Sequence, residues 1–325
     1  MKLTVAVTGA TGFVGKAVVP QLLAAGYAVR VLVRDHAQFD PASNAQIVRG
    51  DLEDASALFE LASGADVVLH MAGAITAVNR RSFFKTNEAG TRAVAMAAEA
   101  GGVKRFVLLS SLAARRPDIS AYAASKQAAE MVVDNLRSHM QVMILRPAAV
   151  YGPRDKATLP LLKALMGRIA LLPGRSGNRF SLIHVDDLAR VCVAAVSSAE
   201  VGLREIDDAS GGHNWAELAA ITKANFKRPE RVMFLPYGLA LLAGALGDLA
   251  SKVMGKPAMI SIGKMRELYE PDWLIKGKNW PRKNSVSLLD GLPQTIAWYQ
   301  AQGLLPQGSN VDTRPPETSS AKHDN

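Results

Sequence analysis

The segment Thr8-Gly9-Ala10-Thr11-Gly12-Phe13-Val14-Gly15 constrains this chain more than any other feature. It follows the apolar run Val5-Ala6-Val7 and opens a helical pattern from about Val14 to Ala25, which Gly26 ends. Glycines three apart in a strand–loop–helix context are a demanding combination. Gly9 permits a tight turn, Gly12 lets the backbone approach a bound pyrophosphate, and Gly15 allows close helix–strand packing. The helix N-terminus offers free N–H groups and a partial positive charge to phosphates. Thr11, Phe13 and Val14 are assigned to the same cradle, so the segment predicts a dinucleotide site.

The rest of the first half repeats the cadence. Strands are expected at Ala28–Val33, Ile47-Val48, Val67–Leu69, Phe106–Leu109 and Val142–Leu145, the last two after long Ala-rich helical segments. Strand, helix, strand implies parallel pairing through crossover helices, hence an α/β, doubly wound, Rossmann-like sheet. Near-continuous Val/Leu strands agree, because such strands are covered on both faces. After Pro147 the pattern loosens. The expected organisation is a dinucleotide-binding domain over 1–150, an interleaved, mostly helical substrate portion over 151–305, and a disordered polar tail over 306–325.

Composition narrows the function. The one cysteine among 325 residues, Cys192, excludes an internal disulfide and sits in an apolar helical pattern, which predicts burial. Six scattered histidines give no metal-ligand spacing, so no metal is expected. No stretch reaches the length of uncharged apolar residues that a spanning helix needs, and the N-terminus reads as a first strand rather than a signal peptide. A cytoplasmic protein is expected. Net charge is +9, with eight Lys/Arg against three Asp/Glu between Lys252 and Lys283. That excess suits a phosphorylated substrate or the anionic inner face of a membrane, while sparse aromatics argue against nucleic acid.

Val31-Leu32-Val33-Arg34-Asp35 ends the second strand. An acidic residue there bonds the ribose hydroxyls of NAD, and an arginine accepts the 2′-phosphate of NADP. Arg34 comes first, so NADP(H) is the expected cofactor, with NAD(H) the alternative. Asp51, after the third strand, suits either the adenine amine or a helix cap.

The glycine spacing, Asp51-Leu52, His70-Met71-Ala72-Gly73, Ser110-Ser111, Tyr122-Ala123-Ala124-Ser125-Lys126, Arg146-Pro147, Tyr151-Gly152-Pro153 and His184-Val185-Asp186-Asp187 together resemble the extended short-chain dehydrogenase/reductases. This group includes the NAD-dependent epimerase/dehydratases and the 3β-hydroxysteroid-dehydrogenase-like reductases. The resemblance covers about the first 190 residues and implies an NAD(P)-dependent oxidoreductase. It implies cofactor contacts for Leu52, Ala72, Gly73, Asn87, Pro147 and Val150, and a catalytic set of Ser111, Tyr122 and Lys126. Ser111, with Ser110 as fallback, would hold the reacting oxygen. Lys126 would also bond the nicotinamide ribose, whereas Asp186 and Asp187 read as helix caps. Tyr122 and Lys126, four apart on a helix, share a face. A neighbouring ammonium favours the phenolate, so Lys126 is expected to lower the tyrosine pKa.

The Tyr-Gly usual after the serine in nucleotide-sugar epimerases is absent here. More narrowly, Ser-Ser-Leu-Ala-Ala at 110–114, Gly263 to Leu268 and Asp272-Trp273 resemble bacterial reductases of 3-oxo-sphingolipids such as 3-oxoceramide. Three functions stand: an NADPH-dependent reductase of a lipid-like ketone, a nucleotide-sugar epimerase or dehydratase with NAD, or a non-catalytic nucleotide-binding subunit. The stripe Leu239, Leu242, Leu246, Leu249, Val253 has helical spacing and reads first as a core-facing helix. A substrate channel or a membrane contact are its other readings, since Leu241 and Ala245 make the opposite side apolar too.

Overall fold

The computed structural model describes residues 2–35, 44–276 and 286–307. The first half supplies β1 (Thr4–Thr8), α1 (Gly15–Ala24), β2 (Ala28–Val33), β3 (Gln46–Arg49), α2 (Ala55–Ala62) and β4 (Val67–His70). Then come α3 (Arg80–Phe84), a π-helical turn Lys85–Ala89, α4 (Gly90–Ala100), β5 (Arg105–Leu109), a 3₁₀ turn Leu112–Arg115, α5 (Ala121–Asp134) and β6 (Gln141–Pro147). All six anticipated strands are present. Among the described residues they form, with β11 (Gly202–Ile206), a parallel sheet ordered β11-β6-β5-β4-β1-β2-β3.

Alternation along each strand builds two cores. Val5 and Val7 of β1 face one apolar cluster, in which α1 packs with α7 (Val185–Ser197) through Leu188, Val191 and Cys192. Ala6, between them, faces the other, built from α2, α4 and α5. The inner strands β1, β4, β5 and β6 are thus covered on both sides, which their sequence anticipated. Cys192 is fully buried, and burial pushes its thiol up to about 12. The sequence reading missed β11, because Gly202-Leu203-Arg204-Glu205-Ile206 is too polar to read as a buried strand. It takes the sheet edge beside β6.

Apart from α7 and β11, which return to the sheet, the chain beyond β6 forms a second lobe. It contains β7 (Ala149–Tyr151), α6 (Leu159–Leu165), β8 (Ile169–Leu172), β9 (Arg179–Phe180), β10 (Leu182–His184), then β12 (His213–Asn214) and α8 (Trp215–Phe226). β13 (Arg231–Phe234), α9 (Tyr237–Met254), α10 (Ile262–Tyr269) and α11 (Leu288–Ala301) complete it. A third apolar cluster joins α6, α8 and α11 through Leu165, Trp215, Ile296 and Tyr299. The cap of α7 differs from expectation: His184 Nδ1 accepts the Asp186 N–H at 3.3 Å. Asp187 is instead buried and accepts the Val286 N–H at 2.7 Å, tying α7 to the segment before α11. Of the expected tail, residues 308–325 lie outside the described residues.

The core reading of the leucine stripe is overturned. Leu239, Leu242, Leu246, Leu249 and Val253 stand between 55% and 79% exposed. α9 packs through small residues on its other side, Ala240, Gly244 and Ser251. A Cβ at Gly244 would lie 2.8 Å from the Ile262 nitrogen, and one at Gly247 would lie 2.0 Å from the Ile260 carbonyl oxygen. Only that face lets the two backbones come so close. By length and composition α9 would also pass for a membrane span, with 17% of it buried. Gly247→Val should therefore force α9 outward and lower Tm by roughly 2–8 °C. Leu246→Ser, one residue away on the open face, should change stability by no more than about 0.5 kcal/mol. Equal losses in a thermal melt would contradict this orientation.

Candidate active site

The loop after β1 has the shape its glycines imply. Gly9 turns at φ +79°, and a Cβ there would stand 2.6 Å from the Ala72 nitrogen. A Cβ on Gly15 would meet the Gly9 carbonyl oxygen at 2.2 Å and the Ala10 Cα at 2.7 Å. At Gly12 the nearest atom would be the Gly9 carbonyl oxygen, at 3.2 Å within the loop itself, so its outer face is bare backbone. No side chain caps the N-terminus of α1. An uncapped helix start beside a glycine-lined cradle fits the pyrophosphate of a dinucleotide. Thr11, Phe13 and Val14 line the same loop, and Ala72 and Gly73 follow β4 directly opposite. Arg34 and Asp35 stand exposed just past β2, where the adenosine ribose would lie. Asp51 is exposed as well, and the cap of α2 is Asp54, which accepts the Ala57 N–H at 3.0 Å. The neighbouring Leu52 packs against Gly90 at the start of α4.

Behind the loop runs a buried hydrogen-bond chain. Thr8 Oγ1 accepts the Ala72 N–H at 3.3 Å and donates to His70 Nδ1 at 2.6 Å. His70 Nε2 donates to Thr91 Oγ1 at 2.9 Å, which donates to the Asn87 carbonyl at 2.6 Å. Burial, and then the Lys126 charge, hold the imidazole pKa down at about 3, so His70 is neutral and serves as one donor and one acceptor. Its place is structural, between the two threonine hydroxyls. Asn87 is not a helix cap. From the π-turn its amide donates to the Ala74 carbonyl at 3.0 Å and Ser125 Oγ at 2.8 Å, while Oδ1 accepts the Ala74 N–H at 2.7 Å. It thereby holds the Gly73 strand-end against α5.

The sheet and α5 bring Ser111, Tyr122 and Lys126 together beside Gly73. Ser111 Oγ accepts the Ala113 N–H at 3.2 Å, and its hydroxyl acts on the Tyr122 phenol to lower its pKa. Lys126 Nζ donates to the Leu109 carbonyl at 2.8 Å, and a Cβ at Gly73 would lie 3.7 Å from it. The two adjacent serines meet different partners. Ser110 turns to the other side, donating to the buried Glu130, which also receives a bidentate Arg146 at 2.8 and 2.6 Å. The electrostatics differ from expectation. Burial raises the Tyr122 pKa to about 12, the Ser111 bond lowers it, and Glu267 raises it further. Lys126 is aimed at a backbone carbonyl, and burial presses its own pKa to about 8. The unliganded site holds a protonated phenol, which is a proton donor.

Apolar residues close the space beside this group. Leu112, directly after Ser111, clusters with Ala148 after Pro147, and with Ile275 and Trp273 from the C-terminal lobe. Val150 follows on β7, which pairs with β10 and leaves the sheet. Segment 272–275 is strapped down: Arg115 donates to the Leu274 carbonyl at 3.1 Å and to that of Asp272, and Ser181 N–H donates to the Trp273 carbonyl at 3.0 Å. The sequence reading missed Arg115, Ser120, Ser125 and Glu267. Ser120 alone carried a local signal, a serine just before a helix.

Residues 5–206 match the model of the NAD dependent epimerase/dehydratase family. The ceramide reductase of Caulobacter vibrioides is 39% identical over 313 residues, covering 93% of this chain and 96% of that protein. The UDP-glucose 4-epimerase of Vibrio cholerae is 30% identical over 78% of this chain and 86% of its own length. Among solved structures, the Bordetella bronchiseptica enzyme WbmG in complex with NAD superposes with a TM-score of 0.65 at 21% identity, covering 94% and 96% of the two chains. UDP-glucose 4-epimerase from Thermotoga maritima gives 0.66 at 20%, covering 92% and 99%. Those two likenesses show the fold.

Tyr122→Phe should keep cofactor affinity, measured by titration calorimetry, while turnover falls by about 10²–10⁴-fold, the worth of a lost general acid. Ser111→Ala should lower turnover, with only the small Tm loss of the capping bond its hydroxyl accepts from the Ala113 N–H. Ser110→Ala should lower Tm more, because it takes a donor from a buried carboxylate. The reverse assignment of effects would exchange the two serines.

Proposed function

The chain belongs to the NAD dependent epimerase/dehydratase family and is an NAD(P)-dependent oxidoreductase; on that premise, we propose that it reduces the ketone of a long-chain lipid of the 3-oxo-sphingolipid or 3-oxoceramide kind, using NADPH. The observation that carries the lipid reading is the 39% identity, along 93% of the chain, to a ceramide reductase. The apolar wall of Leu112, Ala148, Trp273 and Ile275 beside Ser111 supports it.

When bound, the nicotinamide dinucleotide supplies the hydride for reduction or accepts it in the reverse direction. Tyr122 donates its phenolic proton to the carbonyl oxygen as the ketone becomes an alcohol. Ser111 donates a hydrogen bond to that oxygen and holds it within reach of the phenol. Lys126, at the floor of the site, bonds the cofactor ribose and offsets the phenolate left behind. Asn87 keeps Gly73 and α5 in register. The apolar wall excludes water, which strengthens each of these interactions. The second reading is a nucleotide-sugar epimerase, favoured by the 30% identity to the Vibrio cholerae enzyme. An epimerase regenerates its cofactor, so the readings part on net consumption.

Membrane contact belongs to the same proposal. α9 presents its leucine stripe outward, with Lys252 and Lys256 exposed at its end. Asp248, the single acidic residue between Tyr237 and Lys256, is turned inward and accepts the Ile262 N–H at 3.1 Å. A helix pinned on one side by Gly244 and Gly247 is suited to lie on an anionic bilayer, with its free face among the acyl chains.

Purified protein mixed with NADPH and 3-oxoceramide in detergent micelles should consume NADPH and gain product of the reduced mass. Turnover of a UDP-sugar without net NADPH loss would overturn the reductase reading. NADPH should bind at least tenfold more tightly than NADH in calorimetry, and Arg34→Ala should erase the difference; tighter NADH would assign the ribose to Asp35. The protein should float with phosphatidylglycerol vesicles at low salt. Leu242→Ser, Leu246→Ser and Leu249→Ser together should weaken that binding by tenfold or more, since burying one leucine contributes roughly 1.5–3 kcal/mol. Failure of the unsubstituted protein to float would remove the membrane contact.

A further inference from the structure

The helix that carries Tyr122 starts at a joint with the C-terminal lobe. Ser120 is the N-cap of α5, and its Oγ accepts the Ala123 N–H at 2.9 Å. The same hydroxyl donates to Glu267 Oε1 at 2.5 Å, with both residues buried. The other carboxylate oxygen, Oε2, lies 3.3 Å from Lys264 Nζ, and the Trp273 indole N–H donates to the Glu267 carbonyl at 2.6 Å. Gly263 rests flat on this joint, since a Cβ there would meet the Ser120 Cβ at 3.1 Å. α10 is therefore pressed onto the residue two before the tyrosine, with a carboxylate at the point of contact.

Few groups face the phenol. α3 contributes the Phe83 ring, with centroids 6.1 Å apart, and the turn after β5 contributes the Ser111 hydroxyl. Of the charged groups, Lys126 lies on the tyrosine's own helix with its ammonium turned to the Leu109 carbonyl, and Glu267 comes from α10. We propose that Glu267 is a positioning residue for Tyr122: through Ser120 it fixes the start of α5 over Ser111, and it is the carboxylate that the C-terminal lobe brings to that end of the helix, so that its replacement alters both the rate and the pH range of ketone reduction. The proposal rests on the reductase reading. It makes the C-terminal lobe part of the acid–base machinery as well as a wall for the substrate.

The sign follows from charge. Reduction needs the protonated phenol, so its rate falls as pH rises through the phenol pKa; removing a nearby negative charge lowers that pKa. Glu267→Gln keeps a partner for Ser120 and removes the charge. Its descending limb of kcat/KM against pH, with 3-oxoceramide and NADPH, should move about one unit to lower pH. Below the limb, KM should be unchanged. Glu267→Ala, which loses the Ser120 contact as well, should in addition lower kcat about tenfold across the range, with the Kd for NADPH unchanged. Lys264→Met alters a side chain half exposed to solvent, so its fold is secure, and it should move the limb the opposite way. A second readout needs no substrate: phenolate absorbance after an alkaline pH jump, taken as the difference from Tyr122→Phe. If 3-oxoceramide is not turned over but this signal appears at lower pH in Glu267→Gln, the reductase reading fails and the Glu267 assignment holds. Coincident signals, or coincident limbs, in Glu267→Gln and the unsubstituted protein overturn the assignment.

Discussion

At Gly9 the chain passes so close to the end of β4 that no side chain fits between them, and much of the site is hung from that contact. The approach brings the Ala72 N–H to the Thr8 hydroxyl at 3.3 Å. From there the buried chain through His70 and Thr91 reaches the Asn87 carbonyl, and the Asn87 amide reaches Ser125 on α5. The glycine loop after β1 and the helix that carries Tyr122 are thus ends of one connected array. A neutral imidazole is essential to it, because a charged one would present two donors and leave the Thr8 hydroxyl without its acceptor. Burial removes that option by holding the His70 pKa near 3. Each link is a buried polar group whose partner cannot be replaced by water, which makes the array stiff rather than strong.

Desolvation also sets the chemistry. The same burial that raises Tyr122 to about 12 lowers Lys126 to about 8, so the acid is kept neutral and the base is made easy to neutralise. Both groups are moved toward their uncharged forms. Further polarity is gathered one turn along α5, where Glu130 and Arg146 pair in bidentate geometry and Ser110 completes the set. Adjacent residues, Ser110 and Ser111, thus meet different partners: Ser110 the Glu130 carboxylate, and Ser111 the Ala113 N–H.

The C-terminal lobe meets the sheet through carbonyls and caps more than through apolar bulk near the site. Arg115 gathers the strap at 272–274, Asp187 holds Val286, and Glu267 holds Ser120. Such contacts are directional, so they fix Trp273 and Ile275 against Leu112 and Ala148 more accurately than packing alone would. α9 shows the opposite economy. Its packing face is almost bare backbone, and its bulky residues are left outside.

Local signals in the sequence were enough for the dinucleotide loop, the six N-terminal strands, the parallel order and the Ser111–Tyr122–Lys126 group. Glycine spacing, apolar periodicity and a four-residue helical step all act within a few residues of themselves. They leave a trace that needs no knowledge of the rest of the chain. What lay beyond reach were the relations between distant segments. β11 is polar in pattern and becomes a sheet strand only because β6 offers an edge. The stripe on α9 reads as core by period, yet the close backbone approach at Gly244 and Gly247 decides which face is buried. Lysine four residues from tyrosine predicts a lowered pKa, whereas the fold aims that lysine at Leu109 and brings Glu267 from 145 positions further on in its stead. Periodicity says which residues share a face; only the packed chain says what that face meets, because desolvation and charge depend on neighbours that sequence order does not contain.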